Sequence, residues 1–251
     1  NLIPGHLVSR LAKQYDVEAK SRTFSPWSHV VSLLFAQITH ALGLNDVCDA
    51  LRMNAGALQT IRGATPPSRN NLSHANRVRN SQMAEGLYWA MMDHLMKQTP
   101  SFAKGQIRRG YLRRFHKTIH ALDSTTIQLV ANCMDWAQHR RRKAAAKCHL
   151  RLNLQTFLPQ CAIIDTARCH DSRKAYALCA QLQPGEIVVF DKAYLDFAHL
   201  SDLGERGIHW VSRAKDNLQY RAVEVRGPGS NSRILRDEII ELRGPASRQA
   251  Y

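Results

Sequence analysis

Two hydrophobic periods divide the chain near residue 118. Before that point apolar residues recur at helical spacing. Trp27, Val30, Val31, Leu34, Ile38 and Leu42 make one stripe, and Met83, Leu87, Met91 and Leu95 make another, ended near Thr99-Pro100. Ser25-Pro26 reads as an N-cap followed by proline at the first helical position. Gly43 and Asn45 interrupt the first stripe, Val47 and Leu51 begin a shorter helix, and Thr65-Pro-Pro-Ser68 is a turn and cap before a polar one. After residue 118 the period shortens. Thr118-Ile-His-Ala-Leu122 is an apolar run that stops at Asp123. Residues 149–158 alternate, with Leu150, Leu152, Leu154, Thr156 and Leu158 on one face and His149, Arg151, Asn153, Gln155 and Phe157 on the other. Cys161-Ala-Ile-Ile164 predicts a third strand, and Asp171-Ser172 a cap for a helix burying Ala175, Leu178, Cys179 and Leu182. Pro184-Gly185 turns the chain into Glu186-Ile-Val-Val-Phe190, apolar enough for a central strand covered on both faces. Asp196 opens a helix that Gly207 closes, and Ile208-His-Trp-Val211 is a fifth strand. This order predicts an α/β domain behind a helical one. From Arg226, Gly227-Pro-Gly-Ser230 reads as a linker followed by one strand or helix.

Charge sharpens the division. Residues 101–150 carry 11 Lys and Arg against 2 Asp, so most of the net +15 lies in one fifth of the chain. A concentrated excess of this kind fits a polyanion, because each phosphate neutralised releases condensed counterions. Arg108, Arg109, Arg113, Arg114 and Lys117, then Arg140, Arg141, Arg142, Lys143 and Lys147, are the candidate DNA-backbone contacts, with Lys192 further on. No apolar run reaches the roughly 18 residues of a membrane span, and no secretory leader is visible in Asn1-Leu-Ile-Pro-Gly5. The six cysteines form no Cys-x-x-Cys pair and are expected to be reduced. The helices of residues 1–100 serve equally as a DNA-binding module or as packing.

Two aspartates stand out by position. Asp123 ends one apolar run and Asp191 directly follows another. Carboxylates just past the strands of an α/β sheet lie where such folds place ligands. Two adjacent anions call for a cation, and hard oxygen donors suit Mg²⁺ or Mn²⁺. Two such ions can activate an attacking oxygen and stabilise the leaving one in phosphodiester cleavage. Either aspartate alone is explained as a cap; the pair beside a basic segment favours the catalytic reading. Lys192 and Tyr194 stand where they can meet phosphate. Neither a Gly-x-Ser-x-Gly elbow nor a Gly-rich phosphate loop is present.

Thr118-Ile-His-Ala-Leu-Asp-Ser-Thr-Thr126, His149-Leu-Arg-Leu-Asn-Leu154, His170-Asp-Ser172 and Val188-Val-Phe-Asp-Lys-Ala-Tyr194 together resemble the Asp-Asp-Glu transposases of bacterial insertion sequences, and among them the insertion-sequence-four family. The likeness runs through roughly residues 20–220. It implies an RNase H-like mixed sheet, with Asp123 and Asp191 as the first and second catalytic and metal-binding aspartates. It further implies Mg²⁺-dependent cleavage at transposon ends and attack of the freed 3′-hydroxyl on target DNA. A cytoplasmic, nucleoid-associated bacterial protein follows, with a homodimer as an option. The domains expected are 1–100 helical, 101–117 a basic linker, 118–225 an incomplete catalytic core, and 226–251 the start of an insertion or extension.

The family's third motif is Tyr, two residues, Arg, three residues, Glu, six residues, Lys, and this sequence lacks it. Tyr220 is followed three places on by Val223, and Arg236 leads four places on to Ile240. Glu224, Glu238 and Glu241 are off the pattern. The expectation is a copy truncated before its third carboxylate. The alternative is a catalytically inactive, DNA-binding remnant; a stand-alone nuclease would need Asp165 or Asp171 as a further ligand.

Overall fold

The computed structural model describes residues 3–18, 23–41, 43–102, 116–129, 138–140, 143–167, 170–227 and 233–249. The chain divides into two units, Asn1–Pro100 and Ser101–Tyr251. In the first, helices α1 (Gly5–Gln14), α2 (Pro26–Ile38), α3 (Leu44–Met53), α4 (Ala55–Thr60), α5 (Arg69–Val78) and α6 (Gln82–Gln98) follow in order. Ser25 and Ser68 cap as the sequence predicts, their hydroxyls accepting from the Ser28 and Asn71 amides at 3.0 and 3.2 Å. One core joins Phe24 and Val31 to Val47, Cys48, Leu51, Leu58, Leu72 and Ala75; a second joins α1 to Met83 and Leu87 of α6. The long stripe of α2 is only half used. Val31 is buried, but the helix ends at Ile38, and Leu34 and Ile38 are exposed. Leu42 lies outside the described residues.

The second unit contains β1 (Ile119–Leu129), β2 (Gln138–Arg140), β3 (Lys143–Asn153), β4 (Leu158–Thr166), α7 (Asp171–Cys179), β5 (Ile187–Phe190), α8 (Phe197–Glu205) and β6 (His209–Ser212). The strands run β2-β3-β1-β5-β6, with β4 beside β3. β1, β3 and β4 are antiparallel, whereas β1, β5 and β6 are parallel. Three antiparallel strands joined to a parallel pair, with helices in the crossovers, is the RNase H-like mixed α/β fold. A separate antiparallel ribbon follows, β7 (Tyr220–Arg226) with β8 (Asp237–Leu242), then α9 (Pro245–Arg248). The single isolated element expected after Arg226 is thus corrected, because β8 folds back onto β7. Among the described residues no helix is long and apolar enough to cross a membrane.

Two strand boundaries differ from the sequence reading. The alternation of 149–158 breaks after Asn153, whose carboxamide oxygen accepts from the Gln155 and Thr156 amides at 2.8 and 3.1 Å. That side chain builds a turn, which Phe157 completes with φ 56, so the later alternation belongs to a hairpin. β1, in turn, does not stop at Asp123. Its pairing with β5 ends at Leu122, yet its antiparallel ladder with β3 continues to Leu129. The polar face of β3 is the covered one: His149, Arg151 and Asn153 are buried. Arg151 donates to the Leu178 carbonyl of α7 at 2.8 Å, which satisfies part of its guanidinium under the helix. The core on that face joins Leu122, Val188 and Phe190 to Ala175, Leu178, Leu200 and Leu203.

Candidate active site

Parallel register sets the site. Leu122 pairs with Phe190, and Phe190 with Ser212. The next residues along, Asp123, Asp191 and Arg213, therefore stand in a row at the carboxyl edge of three neighbouring strands, with adjacent backbones about 5 Å apart. Both carboxylates are exposed. Asp123 accepts the Ser124 amide at 2.7 Å. Asp191 accepts the Lys192 amide at 2.6 Å, while Arg213 donates to it from Nη2 at 2.8 Å and from Nε at 3.3 Å. The guanidinium and then the amide hold the Asp191 carboxyl below its ordinary pKa. Arg213 had no motif to reveal it, since only the crossover through α8 and β6 brings it beside Asp191.

Past Asp191 the chain makes a single 3-10 turn, Lys192–Tyr194. Tyr194 does not face solvent, where it could meet phosphate, but is buried at 2% exposure, its hydroxyl 3.3 Å from Nδ1 of His149. Burial, opposed by a hydrogen bond with Ser124, pushes the Tyr194 hydroxyl up to about 12. Because Ser124 is the cross-strand partner of His149, Tyr194 fastens the Asp191 turn to β1 and β3 directly behind Asp123. Beside Asp191 an open groove of about 500 Å³ is lined by Lys192, Ala193, Lys215, Asp216 and Asn217.

The predicted basic contacts separate. Arg108, Arg109, Arg113, Arg114, Arg141 and Arg142 lie outside the described residues. Arg140 and Lys143 pair at the β2–β3 connection, though their side chains are also outside that set. As Leu129 pairs with Ala144, this connection projects from the same edge as Asp123, about 20 Å beyond it. Lys117 precedes β1, at the opposite edge, and its ammonium lies 3.0 Å from Nε2 of His209. Lys147 faces α7 and pairs with Asp171 at 3.0 Å, so it is engaged internally and not on an open surface. Lys192 flanks the site and reaches Asp216 at 3.3 Å.

Asp123 and Asp191 offer hard oxygen donors from adjacent strands, which suits a divalent cation, and the Arg213 guanidinium now occupies Asp191 where such a cation would compete with it. A third ligand is not supplied: among the described residues no group of three or more His, Cys, Asp or Glu is placed to hold a metal. Asp165 pairs with Lys174. Asp171 is the first helical residue of α7, one past the N-cap position held by His170, and takes Lys147, with His149 at 3.5 Å, which corrects its reading as a cap. Among the described cysteines, Cys48, Cys148 and Cys179 are free thiols.

The sheet is RNase H-like, with an aspartate just past the paired end of each of two adjacent parallel strands. The family described as "Transposase DDE domain" matches residues 114–247, and the chain belongs to it. Residues 1–61 match a second family, "Domain of unknown function (DUF4372)". The chain is similar to "Probable transposase for insertion sequence element IS5377" of Geobacillus stearothermophilus, with 28% identity over 139 residues, 55% of this chain and 36% of that protein. A relative from Sinorhizobium fredii whose name also carries the word transposase is 24% identical over 149 residues, 58% of this chain and 41% of its own. The chain thus spans less than half the length of these curated relatives.

Proposed function

We propose that the chain is the catalytic part of a DNA transposase that cleaves transposon ends and joins them to target DNA, with Asp123 and Asp191 holding Mg²⁺ or Mn²⁺. The observation that carries this reading is the parallel register that sets Asp123 and Asp191 on adjacent strands, each one residue past the last pair. When bound, the cation would supply Lewis-acid stabilisation of the charge that develops as a phosphodiester bond breaks. The remaining work falls to the chain. Asp123 and Asp191 set the place of cleavage, Tyr194 keeps their backbones in fixed relation, and Arg213 and Lys192 offer cations to flanking phosphates. The basic run Arg140 to Lys143, on the strength of its charge alone, joins them as a contact to the DNA backbone.

Calorimetric titration of Mg²⁺ and Mn²⁺ tests the site. Uptake by the unaltered chain that is lost in both Asp123→Asn and Asp191→Asn supports it; no uptake, or uptake indifferent to both changes, refutes it. A second reading, a DNA-binding protein without catalysis, is favoured by the lack of a third carboxylate among the described residues. Cleavage of labelled duplex by the unaltered chain but not by Asp191→Asn decides against that second reading.

A further inference from the structure

Between Asp49 and Glu85 the sequence contains no acidic residue, while Arg52, Arg62, Arg69, Arg77 and Arg79 all fall there. Helix α5 lies in the middle of this stretch. Its buried residues are Leu72 and Ala75, which pack on the core that α2, α3 and α4 share. Helical geometry puts Asn70, Ser73, His74 and Arg77 within an arc of about 100° on the opposite side, with Arg69 beside it. All five side chains are exposed.

The helix is also held still. Ahead of it, the Ser28 hydroxyl accepts the Thr65 amide at 3.0 Å and meets the Thr65 hydroxyl at 3.2 Å. Trp27 donates to the Ile61 carbonyl at 2.8 Å and lies under the Arg62 guanidinium. Behind it, Asn76 meets His29 at 2.7 Å, and Arg79 donates to the Phe24 and Ser25 carbonyls. These contacts fasten α5 to α2 at both ends and use one flank. The outward arc is left with an arginine, an asparagine, a serine and a histidine, and no ion pair engages Arg69 or Arg77 among the described residues.

We infer that the outward face of α5 is a sequence-reading surface for duplex DNA, with the helix lying in a major groove. The inference rests on the reading of the chain as a DNA-acting protein, and adds to it a recognition site in a region that matches only a family of unknown function or none. Three features favour duplex DNA as the occupant. A 10-residue helix is about 15 Å long, and the major groove, about 12 Å wide, admits one. Asn and Ser are among the side chains that pair with base edges there, Asn with adenine, while Arg at the groove's edges meets phosphate. Arg69 and Arg77 complement the phosphates on either side of the groove, and rigid attachment lowers the ordering cost of placing these groups.

The test uses the full chain and short duplexes of random sequence, selected for binding over several rounds. A preferred sequence should emerge from the unaltered protein. Asn70→Ala with His74→Ala should lose or change that preference, lowering it roughly tenfold per base pair read. Arg69→Ala with Arg77→Ala should weaken binding at all sequences and reduce the slope of log affinity against log salt by about 1 for each phosphate left without its arginine. All four side chains are exposed, and an unchanged thermal midpoint certifies the fold. Unaltered affinity, slope and preferred sequence in both variants overturn the inference, as does failure of the unaltered chain to bind any duplex at low salt. Asp123→Asn with Asp191→Asn should leave the selected sequence intact, so failure of the metal site and failure of the reading helix are distinguishable.

Discussion

Tyr194→Phe removes one oxygen from the brace behind the two aspartates, and its cost can be bounded. The hydroxyl is buried, lies 3.3 Å from Nδ1 of His149 and shares a hydrogen bond with Ser124. A net hydrogen bond is worth about 1 kcal/mol, and a buried group left unpaired costs about 1–3 kcal/mol. His149 is fully buried and its Nε2 already lacks a partner among the described residues, which favours the upper part of that range. Against this, Asp171 stands 3.5 Å from the same Nδ1 and can tighten to replace the missing bond. The balance is a loss of about 1–2 kcal/mol. Truncation to Tyr194→Ala removes the ring from its place against Phe190 as well and should cost about 3–5 kcal/mol, as for other large aromatics. Urea unfolding of the three proteins near neutral pH measures both. The turn that carries Asp191 should loosen with the hydroxyl gone, so amide exchange in residues 192–195 should quicken and Mn²⁺ should bind more weakly. If Phe is indistinguishable from Tyr, the hydroxyl braces nothing; if Phe costs as much as Ala, packing is not the larger share.

Burial lowers the pKa of His120, His149 and His199 from the ordinary 6.5. Unfolded histidines then take up protons that the native ones refuse. Stability should be full above pH ~6.5 and fall below it, by about 1.4 kcal/mol per pH unit for each histidine until its folded pKa is passed. Equal urea midpoints at about pH 7.5 and about pH 5.5 would contradict this. Replacing Arg213 with Gln should let Asp191 take up Mn²⁺ more tightly, by a few-fold at most because the ion pair is exposed; calorimetry reads the change, and weaker uptake would mean that Arg213 supports the metal instead of competing with it. Gly207→Ala should cost about 1–2 kcal/mol, because the position that closes α8 has φ +68; an unchanged thermal midpoint would show that the turn relaxes freely. Neutralising Arg140 to Lys143 should weaken binding to all duplexes and flatten its salt dependence, and an unchanged slope would remove the β2–β3 arm from the interface.

Caps and apolar runs were legible because their signals are local. Ser25, Ser68 and Asp196 each act through an amide three residues away, and Ile187 to Phe190 carries enough β-branched and apolar character to specify a buried strand alone. The misread segments are those where a local signal has two meanings. Gln155 and Phe157 continue the alternation of β3, but the Asn153 side chain satisfies the backbone that a longer strand would have paired. Nor does the alternation itself say which face of β3 is covered, and the structure covers the polar one. Its burial depends on α7, whose Leu178 carbonyl receives Arg151 from a position 27 residues away in sequence.

The site was half legible for a related reason. Asp123 and Asp191 both follow apolar runs, and that placement needs no partner to be noticed. Their adjacency is a different kind of fact, because it depends on β5 pairing with β1 in parallel, and so on a crossover that packs α7 against the sheet. The same geometry explains why Arg213 escaped notice: nothing around it is apolar enough or regular enough to mark it, and it joins the row only because β6 keeps step with β5. Lys117 and Lys147 make the converse point. Both belong to the basic segment that the charge count singled out, yet one stands at the far edge of the sheet and the other is paired beneath a helix. Net charge therefore suggests a kind of partner, while the strand register decides which of those charges can stand with the carboxylates. Among the described residues the register leaves Lys192 and Arg213 as the cations beside the two carboxylates.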